Sequence, residues 1–219
     1  MARTEGVVGN ESPEHEGPVG AGLKPAPTES PICPKTRGVS PTEHAALEQV
    51  FRRHRFTDFR WIDPQRIVVS QWVRIKCTFG CGEFGKNACC PPNVPTVAEC
   101  ERFFREYTDA VVFRFEKKVA KPEDRHKWTR GVNGRLSKME REVFLSGYES
   151  AFLLFMDSCC LCAECSGERR NCRQPRVARP SPEAMAVDVY ATVRGIGYPI
   201  EVLSDYSQAM NRYAFLMIR

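Results

Sequence analysis

The stretch AFLLFMDSCCLCAECSGERRNC, residues 151–172, runs six apolar residues directly into a set of closely spaced cysteines. Residues 151–156 are apolar at every position, so the strand they predict is covered on both faces and lies inside a sheet with other elements packed against it. Asp157 and Ser158 turn the chain. Cys159, Cys162 and Cys165 follow at two-residue gaps, and Cys172 comes after six more residues. A tight loop with that spacing can aim three or four thiols at one small region.

Working outward, the other elements alternate between helix and strand. Ser40-Pro-Thr-Glu43 is a capping box with proline at the first helical position, and it predicts a helix to about residue 54 with Leu47, Val50 and Phe51 inward. Residues 67–76 alternate, with Ile67, Val69, Val73 and Ile75 on one face, which predicts a half-exposed strand ending at Cys77. Thr96-Val-Ala-Glu99 is a second capping box, and Cys100, Phe103, Phe104 and Tyr107 share one face of the helix after it. Residues 110–116 read as a strand, and 117–135 as a basic, mobile loop. Ser137 caps a third helix with Val143, Phe144 and Tyr148 inward. Ser181-Pro182-Glu183 opens a fourth, which stops at Gly195 or Gly197. Residues 200–203 and 213–218 complete the strands.

The expected fold is therefore α/β: a single domain with a mixed sheet of about five strands and helices packed on it. Cys77 and Cys159 each follow a predicted strand. Parallel strands joined by right-handed crossovers would bring both cysteine loops to one rim of the sheet, and an antiparallel arrangement would separate them. Residues 1–39 are rich in glycine and proline and nearly devoid of large apolar residues, the composition of a disordered leader before a domain at 40–219. Cys33 lies in that leader and is not expected to be a ligand.

The chain holds eleven cysteines, an odd number, and residues 1–13 have no apolar signal-peptide core. A secreted disulfide framework pairs its cysteines and carries an export signal, so the expected compartment is the cytoplasm and the expected role of clustered thiols is metal ligation. No apolar run approaches the roughly 20 residues of a membrane span. Net charge is +5. That is mild, and with no DNA or RNA recognition motif a nucleic-acid partner is not expected.

Three cysteines at two-residue gaps suit the iron corners of a cubane cluster. Structural zinc more often uses two Cys-x2-Cys knuckles with a longer spacer, and it stands as the alternative. Cys160, next to Cys159, reads as a small buried side chain. The first cassette runs Cys77-x3-Cys81-x7-Cys89-Cys90-Pro91-Pro92, with Gly80, Gly82 and Gly85 easing tight turns. Cys77, Cys81 and either Cys89 or Cys90 make a partial site. Cys100 sits on the apolar stripe of its helix and reads as core.

Residues 80–92, the run Cys159-x2-Cys162-x2-Cys165, and Cys172-Arg-Gln-Pro175 through Ala178-Arg-Pro-Ser181 resemble the "predicted metal-binding protein" family, the domain numbered twenty-two eighty-four. The similarity covers about residues 56–219. The resemblance implies metal binding and a ligand set of Cys77, Cys81, Cys90, Cys159, Cys162, Cys165 and Cys172, with Cys89 and Cys160 as extras.

No nucleotide fingerprint, nucleophile elbow or metalloprotease helix is present, and His15, His44, His54 and His126 are scattered. The expected role is an iron–sulfur (4Fe-4S) protein with one or two clusters, carrying electrons for or docking on a redox protein or enzyme. The rivals are an enzyme whose cluster keeps an open iron corner as Lewis acid and a zinc-stabilised interaction module.

Overall fold

The computed structural model describes residues 38–121, 123–205 and 208–219. Cys33, His15 and the leader expectation, apart from Gly38 and Val39, lie outside the described residues. Val39 is only 8% exposed, and its N–H donates to Asp109 Oδ2 at 2.9 Å. The packed body thus includes at least Val39, ahead of the expected boundary at residue 40.

Helices and a sheet form the expected α/β fold. The strands are β1 (Phe59–Ile62), β2 (Ala110–Lys117), β3 (Phe152–Leu154) and β4 (Met210–Met217), in the order β1-β2-β4-β3. The helices are α1 (Pro41–Arg53), α2 (Gln71–Gly80), α3 (Val97–Arg105), α4 (Asp124–Leu145) and α5 (Val189–Gly195). Among the described residues the sheet has four strands instead of about five, and every pairing is antiparallel instead of mixed.

Both faces of the sheet are covered, as the apolar runs in β2 and β4 require. Val111, Phe113, Leu153, Ala214 and Leu216 pack with Leu47 and Phe51 of α1 and Leu136 and Met139 of α4. Ala110, Val112, Leu154, Phe215 and Met217 pack on the other side with Cys100 and Phe104 of α3 and Val189 and Val193 of α5. The result is a three-layer sandwich.

Five local expectations are corrected. The predicted strand at 67–76 is a single bridge, Val69 to Val187, followed by α2. Val73 is 5% exposed and Ile75 46%, although a strand would have set both on one face. Helical spacing instead puts Val73 and Cys77 on the same side. The basic loop at 117–135 is largely α4, which begins at Asp124 and not at Ser137; Ser137 Oγ donates within the helix to Asn133 O. Its period was hidden because Thr129, Asn133 and Glu140 occupy buried positions normally apolar. Phe144, expected inward, is 51% exposed. Residues after Ser181 form turns, and α5 starts later, with Asp188 Oδ1 accepting from Ala191 N. Residues 200–203 are irregular, while the unforeseen strand is β1.

Candidate metal centre

The first cassette starts on a helix and not after a strand. Cys77 lies in the last turn of α2 and Cys81 is the residue that ends it. The start of α2 is pinned to the chain just beyond the second cassette: Ser70 N donates to Ala186 O at 2.9 Å, and Asp188 N donates to Val68 O at 2.7 Å. An antiparallel sheet was expected to keep the cassettes apart. α2 brings them together instead.

The second cassette leaves β3 through Phe155, Met156 and Asp157. α4 holds it from one side, with Arg125 paired to Asp157 and Arg130 Nε donating to Cys160 O at 2.8 Å. At the exit, Arg179 Nε donates to the buried Glu140 at 2.8 Å, and Glu140 also accepts from Leu153 N at 2.9 Å. A buried carboxylate is tolerated here because both partners satisfy it. Breaking the pair would leave a charge stranded between β3 and the loop.

The two loops are stitched to each other. Asn87 Nδ2 donates to Cys159 O at 2.8 Å, Asn93 Nδ2 to Gly167 O at 2.7 Å, and Ala88 N to Cys165 Sγ at 3.2 Å. Gly167 has φ of +78°, and a Cβ there would come within 3.8 Å of Gly85 O. Glycine suits the left-handed backbone, while 3.8 Å is an ordinary contact with the other loop.

These contacts sort the thiols into two overlapping groups. A cavity of about 750 Å³ is lined by Cys77, Cys81 and Cys90 from the first loop and Cys159, Cys160, Cys162 and Cys165 from the second. A tight crevice of about 20 Å³ is lined by Cys89, Cys159, Cys162, Cys165 and Cys172. All seven cysteines of the expected ligand set therefore face one or other space. Cys89, read as an extra, faces the crevice at 4% exposure, with Arg169 Nη1 at 3.9 Å from its sulfur. His126 and Asp157 also line the larger cavity and had not been singled out. Asp157 is adjacent to the cassette in sequence; His126 is carried there by the unforeseen part of α4.

Cys100 is 0% exposed in the core, 3.9 Å from Met185 Sδ. His44 stacks on Trp61, and His54 pairs with Glu142, both far from the thiol group in their contacts. The arginines near Cys172 differ in use: Arg179 is committed to Glu140 and Arg170 to Glu168, while Arg173 and Arg176 are exposed.

Charge is unevenly shared among the thiols. The Cys89 thiol donates to Cys159, which holds the Cys159 sulfur below the usual thiol range, helped by the backbone N–H groups of Leu161 and Arg179. The same contact and burial push Cys89 up. Burial pushes Cys90 up to about 12 and Cys160 up to about 11. Thiols held protonated by burial must give up that proton to ligate a metal, so metal binding here is coupled to proton release.

Among the described residues, no three Cys, His, Asp or Glu side chains close on a point that one ion could occupy. The thiols line walls instead of converging. The donor set is sulfur-rich, of the kind that takes soft metals and iron–sulfur clusters.

A three-layer α/β body that presents two interlocked thiol loops is the architecture of a cysteine-rich metal-binding protein. The chain belongs to the family described as Predicted metal-binding protein (DUF2284), whose model matches residues 60–218. No curated protein and no solved structure matches the chain. Among the described residues, no helix is long and apolar enough to cross a membrane.

Proposed function

We propose that this protein is an iron–sulfur protein that binds 4Fe-4S clusters between its two cysteine loops and exchanges electrons with a redox protein or enzyme in the cytoplasm. One observation carries the reading: thiols about 80 residues apart in sequence line one continuous space, tied together by hydrogen bonds between the loops. Cys159, Cys162, Cys165 and Cys172, with Cys89 beside them, would hold one cluster; Cys77, Cys81 and Cys90 supply thiolates for a second. A bound cluster supplies one-electron chemistry. The protein's residues hold it, donate amide hydrogens to its sulfurs, as Ala88 N already does to Cys165, and limit water around it.

The test is metal identity in protein prepared without oxygen. Iron and acid-labile sulfide in equal amounts, with a brown colour, are expected. Stoichiometric zinc without sulfide in the native protein would overturn the proposal in favour of a zinc-stabilised module.

A further inference from the structure

Five of the nine exposed large apolar side chains among the described residues fall between residues 68 and 84. Three of them lie on α2: Trp72, Ile75 and Phe79 follow at gaps of three and four, the spacing that sets side chains on one face of a helix. Val73 and Cys77 take the other side, with Val73 buried. Phe79 stands 83% exposed between Cys77 and Cys81 in sequence, and Phe84 just beyond lines the larger thiol cavity. Single apolar side chains on a surface carry no message. A strip of four that leads to a thiol-lined cavity marks an interaction surface.

The charge around this strip leans one way. α2 carries Arg74 and Lys76 and no acid. Arg74 is committed to the carbonyls of Pro95 and Ala184, whereas Lys76 is exposed, its Nζ 5.3 Å from the Trp72 ring centre. The acids of the cavity lining have partners: Asp157 pairs with Arg125, Glu83 with Lys86, and Glu183 lies in the field of Arg212. The start of α4 adds a basic excess, because residues 117–130 hold six bases against two acids. Arg125 and Arg130 line the thiol cavity, while Lys117, Lys118 and Lys127 line an open cleft beside the same two helical turns. Those three lysines are exposed and make no ion pair among the described residues.

We propose that the outer face of α2 and the start of α4 form the docking surface for an acidic electron-carrier protein. Its apolar centre would cover Trp72, Ile75 and Phe79, and its carboxylates would meet Lys76, Lys117, Lys118 and Lys127. This rests on the electron-exchange reading and names the partner's chemistry. Charge complementarity selects the occupant, since opposite potentials steer the encounter and fix its register. A second copy of the chain would set these lysines against their like. A carrier seated here brings its own redox centre against the thiol cavity, which a lipid surface cannot do.

The test uses the full chain prepared without oxygen, with a plant-type ferredoxin and a flavodoxin as acidic probes and cytochrome c as the basic control. Calorimetry at about 0.02 M salt should show saturable binding of both acidic carriers and none of cytochrome c, weakened at least about tenfold at about 0.2 M salt. Phe79→Ser and the double variant Lys117→Glu/Lys127→Glu should each weaken binding at least about tenfold. Arg102→Glu/Arg141→Glu makes the same charge change on exposed side chains of α3 and the far half of α4, and should stay within about twofold. Thermal melts check that the variants fold. Equal loss in the two charge-reversed variants, equal binding of cytochrome c, or no saturable binding of either acidic carrier overturns the proposal. So does tighter binding to anionic phospholipid vesicles or RNA, or a dimer that Phe79→Ser dissolves. Calorimetry needs no electron transfer, and iron and sulfide analysis of the same sample judges the cluster separately. Selective binding by protein without iron supports the surface and counts against the iron–sulfur reading; iron-loaded protein that binds neither carrier does the reverse.

Discussion

Cys89 and Cys90 are consecutive and face different spaces, because the chain turns between them: Cys89 N donates to Asn87 Oδ1 at 2.9 Å and Cys90 N to Asn87 O at 3.1 Å. Asn87 thus sets the direction of both sulfurs while its amide holds Cys159 O. If Cys89 is a ligand, Cys89→Ala should lower bound iron and the melting temperature together, since ligation energy is folding energy. Cys100→Ala removes an equally buried sulfur from the core, where it should cost on the order of 1 kcal/mol and leave iron content unchanged. Iron analysis and thermal melts on the two variants separate the roles. Full iron in Cys89→Ala would return Cys89 to packing alone, and iron loss in Cys100→Ala would contradict its place in the core.

At the scale of elements, the cap at the start of α1 is a complete local device. Ser40 Oγ accepts from Glu43 N, and Glu43 Oε2 accepts from Ser40 N at 2.7 Å. Those bonds, with Arg219 nearby, hold the Glu43 carboxyl at about 2, below its ordinary 4.5. A depressed carboxylate stabilises the fold above the higher value and loses that contribution as pH falls towards the lower one. Ser40→Ala removes only the side-chain half of the cap and should cost about 1 kcal/mol; Glu43→Gln removes the carboxylate itself, and the stability gap between that variant and the parent should narrow between pH 4.5 and 2. Denaturant melts across that window check it; a gap constant with pH would mean Glu43 does not act through the cap. Such devices explain which elements were legible. The capping boxes of α1 and α3 are chemistry within four residues, so local reading finds them. β2 and β4 announce themselves as apolar runs. α2 and α4 do not, because tertiary contacts decide them: Val73 is buried only where α2 meets the second loop's exit, and Glu140 is tolerated only because Arg179 and Leu153 satisfy it. Spacing pointed to Cys159, Cys162, Cys165 and Cys172 and to Cys77, Cys81 and either Cys89 or Cys90, the choice of Cys90 came from the family resemblance, and the place of His126 on the cavity wall needed the fold.

At the scale of the whole molecule, the number of metal sites depends on how the two loops share sulfur. Five thiols face the crevice, one more than a four-iron cluster takes, and the first loop brings three to the larger cavity, one fewer. Cys159, Cys162 and Cys165 line both spaces, so one of them can complete the second set. This is the exchange seen in two-cluster ferredoxins, where a cysteine from one run serves the other cluster. On the proposed reading eight thiols would then serve two clusters, leaving Cys160, which also lines the larger cavity, with its sulfur 3.9 Å from His126 O on α4. Cys81 is the cleanest place to test this, because it is exposed, lies at the end of α2 and lines only the larger thiol cavity and a neighbouring cavity of about 330 Å³. Its loss removes a ligand with little loss of packing. Two clusters predict that Cys81→Ser keeps about half the wild-type iron. One cluster shared by both loops predicts loss of nearly all of it, and full retention would remove the first loop from metal binding. Iron counts on anaerobic protein, normalised to protein concentration, decide among the three, and the outcome expected from the way the thiols divide is one half.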